Sequence, residues 1–197
     1  MKEEVLFVLL NNYADWESAF LSAALNSGVM PDSEIKYTVK TVAPTLNEVY
    51  SLGGFRTVPD YSFSTIPDDY AALVLVGGMS WNTADSECVE PLVRDALKKG
   101  KVVGAICNAV SFMCAHGFLN DVKHTGNTLS QLKLWGGDRY INEAGYVEKQ
   151  AVSDKNIVTA NGTGYLEFTR ELLFLLKADT PERIEFSYDF NRNGFIK

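Results

Sequence analysis

The chain has 197 residues, enough for one domain with a sizeable core, and 46% of them are apolar. Its 25 acidic side chains outweigh 18 basic ones, for a net charge of −7. That balance, with no basic stripe, argues against nucleic acid, which is bound through clustered Lys and Arg at phosphates. No apolar run reaches the ~18 residues that a membrane span needs.

Val5 to Leu10 is a continuous apolar run, the pattern of a strand buried on both faces. A helix follows, with Trp16, Ala19, Phe20, Ala23 and Ala24 on one side, and stops near Gly28 and Pro31. Ile35 to Val42 reads as a second strand, and residues 47–66 as hairpin-like pieces around Gly53-Gly54. Ala71 to Val76 is a third buried strand, ending at Gly77-Gly78. A helix over Glu87–Lys99 stops at Gly100. Lys101 to Ile106 is a fourth strand that turns at once into a helix ending at Gly117. Val152 to Thr159 gives another strand and Tyr165 to Leu176 a last helix. The stretch from about Thr180 to Lys197 is polar and aromatic. It reads as a tail packed on the domain or on a partner subunit.

Buried strands alternating with amphipathic helices define an α/β fold. Residues 1–197 are expected to form one doubly wound domain, its mostly parallel sheet covered by helices on both faces. The start, Met1 to Glu4, leads straight into a strand and lacks the parts of a signal peptide, so a cytoplasmic location is expected. Three cysteines make no disulfide framework and read as reduced thiols. The sequence gives no sign of a metal or an organic cofactor.

In a doubly wound sheet, ligands sit beyond the carboxyl ends of the strands. The residues there are Asn11 to Glu17, Gly77 to Met79, Cys107-Asn108 and Asn161 to Gly164. Cys107 stands where a buried strand becomes a helix, so the helix dipole and nearby N–H groups are expected to favour its thiolate. Gly104 leaves room for a sharp turn there. A small buried core residue is the competing reading of Cys107. Gly78 and Asn108 could offer backbone N–H groups to an oxyanion. Glu17, in the first helical turn, is either a solvated glutamate or a carboxyl in contact with the sulfur. In the second case it must be protonated, because two anions in contact repel. Asp15, in the same segment, and His124 and Asn127, in a segment that could reach the cleft, are candidates for accessory roles. His116 and Cys114 read as structural, and Cys88 as a partly exposed thiol. Cys114, His116 and His124 lack the paired C-x-x-C spacing of a zinc site.

Four segments resemble the ThiJ/PfpI superfamily, which has the flavodoxin-like, class I glutamine amidotransferase-like fold. They are Tyr13-Ala-Asp-Trp-Glu17, Ala72-Leu-Val-Leu-Val-Gly-Gly78, Gly104-Ala-Ile-Cys107-Asn-Ala, and Ile157-Val-Thr-Ala-Asn-Gly-Thr-Gly-Tyr-Leu-Glu167. They run in family order, and the resemblance spans residues 5–177. It implies that Cys107 is the reactive residue, that Glu17 is its partner and that the chain forms a homodimer. The pattern is closest to bacterial members designated intracellular proteases or amidases. Protease-like members carry a histidine directly after the cysteine, where this chain has Asn108. In the sensor and deglycase-like branch the histidine aligns nearest Gly126, with His124 two residues earlier. Three functions remain in view: a cysteine enzyme acting on a small electrophile (amide or aldehyde), an oxidative-stress protein without turnover, and a small-molecule binding module.

Overall fold

The computed structural model describes residues 2–194. Its strands are β1 (Glu3–Val8), β2 (Tyr37–Ala43), β3 (Val49–Tyr50), β4 (Arg56–Thr57), β5 (Tyr61–Ser62), β6 (Ala72–Leu75), β7 (Val102–Ile106), β8 (Ala151–Asp154) and β9 (Ile157–Ala160). Its helices are α1 (Asp15–Ser27), α2 (Ala84–Glu87), α3 (Glu90–Lys98), α4 (Asn108–Ala115), α5 (Leu129–Gly136), α6 (Tyr165–Leu175) and α7 (Pro181–Asn193). Seven strands make one sheet in the order β5-β2-β1-β6-β7-β9-β8, parallel throughout except where β8 pairs with β9. This is the doubly wound, flavodoxin-like α/β architecture expected from the sequence.

The continuous apolar runs have a physical reason. Successive side chains point to opposite faces of a strand, and both faces of this sheet are covered. From β1, Leu6 and Val8 enter the core beneath α3, α4 and α5, with Val93, Phe112, Met113 and Leu132. Val5 and Phe7 enter the other core, beneath α1, α6 and α7, with Leu21, Leu25, Phe168, Leu172 and Ile184.

Several elements differ from their sequence readings. The strand read over Val152–Thr159 is two antiparallel strands, β8 and β9, reversed at Lys155, whose φ is +53°. Helix α5 was not anticipated; Thr128 caps it by accepting the Gln131 N–H at 3.1 Å. The tail from Thr180 begins as α7, with Pro181 at its first turn and Gly194 in the left-handed conformation at its end. It packs on its own domain: the Tyr188 hydroxyl donates to Glu167 at 2.7 Å, and Arg192 pairs with the same carboxylate. On α1 the expected apolar side is turned outward. Trp16 and Phe20 are exposed, whereas Glu17, Leu21 and Leu25 are buried. Gly104 does not serve a turn. It lies inside β7, where a Cβ would come within 2.9 Å of both Leu172 and Phe168, so its absence lets α6 settle on the sheet.

Among the described residues no helix is long and apolar enough to cross a membrane. Nor does any group of three or more His, Cys, Asp or Glu side chains among them stand ready for a metal ion.

Candidate active site

Strands β1, β6, β7 and β9 are successive neighbours, so their carboxyl ends bring four loops to one edge. The β7 ladder runs one residue past the strand, with Cys107 N–H donating to the Ala160 carbonyl at 2.9 Å. The chain then turns sharply. Cys107 has φ +61° and ψ −127°, a conformation that L residues avoid and that costs on the order of 1–3 kcal/mol. Its carbonyl accepts the Val110 N–H and starts α4. The elbow leaves the sulfur half-buried at the cleft.

Glu17 reaches the sulfur from α1. A Cβ on Gly162 would sit 3.0 Å from Cys107 Sγ and 3.2 Å from Glu17 Oε1, so the two groups border the same small space. A Cβ on Gly77 would come within 2.6 Å of Cys107 Cβ and overlap the Glu17 carboxyl. Glycine at both positions is what allows the pair to meet. Glu17 is 1% exposed, and neither of its oxygens finds a well-aligned hydrogen-bond partner among the described residues. Burial therefore lifts its pKa to about 7, against the opposing pull of the nearby Cys107 thiol and Gly77 N–H.

The thiol is also held above its usual range, first by burial and then by the Glu17 charge; the Asn127 amide and the Asn108 N–H oppose the rise. This corrects the expectation that the helix start alone would depress the thiol. Desolvation and a neighbouring carboxyl outweigh the first turn of an eight-residue helix. Near neutrality the pair has room for one negative charge, which the raised thiol leaves mainly on the carboxylate, with the thiolate form beside a protonated Glu17 as the minor partner.

Asn127 is brought in by the segment before α5. The Thr125 N–H donates to Thr159 Oγ1 of β9 at 2.9 Å, which fastens that segment to the sheet. Asn127 Oδ1 accepts the Gly162 N–H at 2.9 Å, and its Nδ2 donates to the Cys107 sulfur at 3.4 Å. Asn108 turns its side-chain amide to the Gly78 carbonyl at 2.8 Å. Around Gly78 the bonds run from Ala14 N–H to the Gly77 carbonyl and from Met79 N–H to the Asn12 carbonyl. That pattern leaves the Gly78 N–H out of the bridge between these segments. The Asn161–Gly164 turn closes on itself, with Asn161 Oδ1 accepting the Thr163 N–H, and carries Gly162 to the sulfur.

The other sequence candidates lie elsewhere. His124 is fully buried, with Nδ1 on the Val122 carbonyl at 2.9 Å and Nε2 on the Tyr140 hydroxyl at 2.8 Å. Burial lowers its pKa, and both ring nitrogens are engaged within the core, so it does not serve the cleft. Asp15 accepts the Gly53 N–H at 2.8 Å and ties the β3–β4 hairpin to α1; it does not reach for the sulfur. Two neighbours were missed. Trp16 Nε1 donates to the Gly162 carbonyl at 3.2 Å, and Gln131 Nε2 donates to Asn108 Oδ1 at 2.8 Å. Gln131 belongs to no motif; Trp16 lies within the Tyr13–Glu17 segment but reads in the sequence only as part of the apolar side of the first helix.

A mostly parallel α/β domain with a cysteine elbow and a buried glutamate at the carboxyl edge of its sheet defines a recognisable class. The chain belongs to the DJ-1/PfpI family, whose model matches residues 3–175. It is 40% identical, over 98% of its length and 93% of the relative's, to the "Uncharacterized protease YdeA" of Bacillus subtilis. It is 24% identical, over 66% of its length and 67% of the relative's, to the "Glutathione-independent glyoxalase DJR-1.2" of Caenorhabditis elegans. The crystal structure of a thiJ/pfpI family protein from Bacillus anthracis superposes with a TM-score of 0.90 at 31% identity, covering 99% of this chain and 92% of that one.

Proposed function

We propose that this protein is a cysteine-dependent enzyme acting on a small carbonyl electrophile, an α-oxoaldehyde first among the substrates to test. The observation that carries the reading is the buried Cys107–Glu17 pair, which holds one transferable proton near neutral pH. In this reading the Cys107 thiolate attacks the aldehyde carbon. The new C–S bond takes its electron pair from sulfur, and the carbonyl π pair moves to oxygen. The N–H groups of Gly78 and Asn108 receive that oxyanion, and Glu17 protonates it. The Glu17 carboxylate then takes the proton from C1 while the C2 carbonyl π pair moves to its oxygen; the hydroxyl proton passes from O1 to that oxygen, and Glu17 returns its proton at C2 as C1 becomes a carbonyl. The resulting thioester is hydrolysed by water to a 2-hydroxy acid. The net change adds one water and needs no external oxidant or reductant.

The same inventory argues against peptide hydrolysis. Asn108 and Asn127 stand near the sulfur where an imidazole would be needed, and an amide cannot carry a proton to an amine leaving group. Sustained cleavage of casein is not expected. The test is a panel of methylglyoxal, small amides and fluorogenic peptides with the parent protein, Cys107→Ser and Glu17→Gln. Consumption of the aldehyde, reduced at least ~100-fold in both variants, is the expected result. Unchanged consumption by Cys107→Ser, or none by the parent, would sink the reading.

The unpartnered Glu17 carboxyl also favours a second reading, in which peroxide oxidises Cys107 to a sulfinate that accepts the Glu17 proton. Intact-mass analysis after peroxide treatment distinguishes it: a stable gain of two oxygens on Cys107 without aldehyde turnover supports this version. A homodimer belongs to the proposal as well. Its support is the family membership and the exposed apolar side chains of the hairpin region, Leu52, Phe55 and Val58. Light scattering at micromolar concentration tests it.

A further inference from the structure

A chain of side-chain amides runs from the surface of α5 to the sulfur, and none of the roles above uses its outer end. Gln131, in the first turn of α5, donates from Nε2 to Asn108 Oδ1 at 2.8 Å. Asn108 Nδ2 in turn donates to the Gly78 carbonyl at 2.8 Å. Asn127 lies between the two. Its Oδ1 accepts the Gly162 N–H, which fixes the orientation of the amide. Its Nδ2 then faces two acceptors at nearly equal distance, Cys107 Sγ at 3.4 Å and Asn108 Oδ1 at 3.5 Å.

We propose that Gln131 is a positioning residue for Cys107: by serving the Asn108 side-chain oxygen it leaves the Asn127 amide to the sulfur and keeps Asn108 on the Gly78 carbonyl. Two consequences follow from removing its donor. The Asn108 oxygen, half-buried, loses its short bond and has Asn127 Nδ2 as its nearest remaining donor. Asn127 shifts toward it, and the sulfur loses the amide that favours its charged form. Asn108 is also released to rotate, which loosens the Gly78 peptide beside the cleft.

The ionisable group facing the sulfur is Glu17, from α1. The β6 loop, α4, the Asn127 segment and the Asn161–Gly164 turn present amides and backbone N–H groups. A shift in the titration of Cys107 on changing Gln131 would therefore be transmitted through the amides, since Gln131 carries no charge.

The test uses the whole chain and iodoacetamide, with mass-spectrometric quantification of Cys107 labelling across pH. Gln131→Met keeps the side-chain length and deletes the donor. Set in the Glu17→Gln background, which serves as the parent here and in which the sulfur titrates without a competing anion, the expected result is a rise in the Cys107 labelling midpoint of about one pH unit, the worth of a single hydrogen bond to a charged acceptor. The thermal midpoint should stay near that of the parent. Gln131→Leu serves as a second variant with different packing and should move the profile the same way. Ser130→Ala, in the same turn and outside the amide chain, should leave the profile unchanged. Parental profiles in both Gln131 variants, or an equal shift in Ser130→Ala, would overturn the proposal. Alkylation needs no substrate, so a protein that turned over no aldehyde would still decide this question.

Discussion

At Cys107 two influences oppose each other: the helix start and the amide donors favour a thiolate, while burial and Glu17 disfavour it. The carboxyl and the thiol titrate as a pair, whose first proton leaves with an apparent pKa of about 7. Thiolate grows with pH up to that point. It then levels off, because the single charge rests mainly on Glu17, which resists a second. In Glu17→Gln no competing anion exists, so the thiolate fraction keeps rising. Iodoacetamide labelling of the parent should therefore reach a plateau near pH 7, whereas Glu17→Gln should coincide with it in acid and overtake it above pH 7. Identical profiles in the two proteins would show that the carboxyl and the sulfur do not share a charge. Cys114 should label slowly in both, being fully buried with its pKa pushed up to about 12.

At the scale of elements, the packing of α6 on β7 depends on Gly104. Alanine there would place a methyl group 2.9 Å from Leu172 Cδ1 and Phe168 Cζ, both fully buried. Gly104→Ala should cost about 1–3 kcal/mol, read from urea unfolding, by the usual penalty for overpacking. A neutral result would mean that α6 shifts freely. The central strands and most helices were legible in the sequence because each carries a continuous apolar run or a clear stop at glycine. The outward turn of α1 was not legible. Its Trp16 and Phe20 form the more hydrophobic side, yet the side bearing Glu17 is the one that faces the sheet. Hydrophobic patterning alone places a carboxylate in water. Helix α5 follows a loop rather than a buried strand, so nothing marked its start as Ile106-Cys107 marks that of α4, and the β8–β9 hairpin was hidden by a reversal at Lys155 that has no glycine to mark it. Cys107 could be found because it follows a strand directly, and Glu17 because it lies in the first turn of the helix after β1. Asn127 was named for its segment alone, and Gln131 not at all. Their place at the site depends on the Thr125–Thr159 link and on the cap of α5, which no local motif announces.

Over the whole molecule, the buried carboxyl ties the chemistry of the site to the stability of the fold. In the unfolded chain Glu17 titrates near 4.5; in the folded protein it does so at about 7. Between those values the folded state binds the extra proton, so stability falls as pH rises. The contribution is fully present below about pH 4.5 and lost as pH passes 7. The full span amounts to about 3 kcal/mol, a large share of a domain's net stability. Glu17→Gln keeps the shape of the protonated acid and cannot ionise. The variant should therefore match the parent in denaturant unfolding at pH 4 and exceed it at pH 8 by up to about 3 kcal/mol. Below pH 4.5 both proteins hold a neutral group beside the sulfur, so a difference there would reflect lost packing or hydrogen bonding. An equal pH dependence in the two proteins would place the Glu17 carboxyl in water and remove the basis for its part in catalysis. The expected divergence would explain why this position holds a glutamate at all: the fold gives up stability at neutral pH to keep a proton within reach of Cys107.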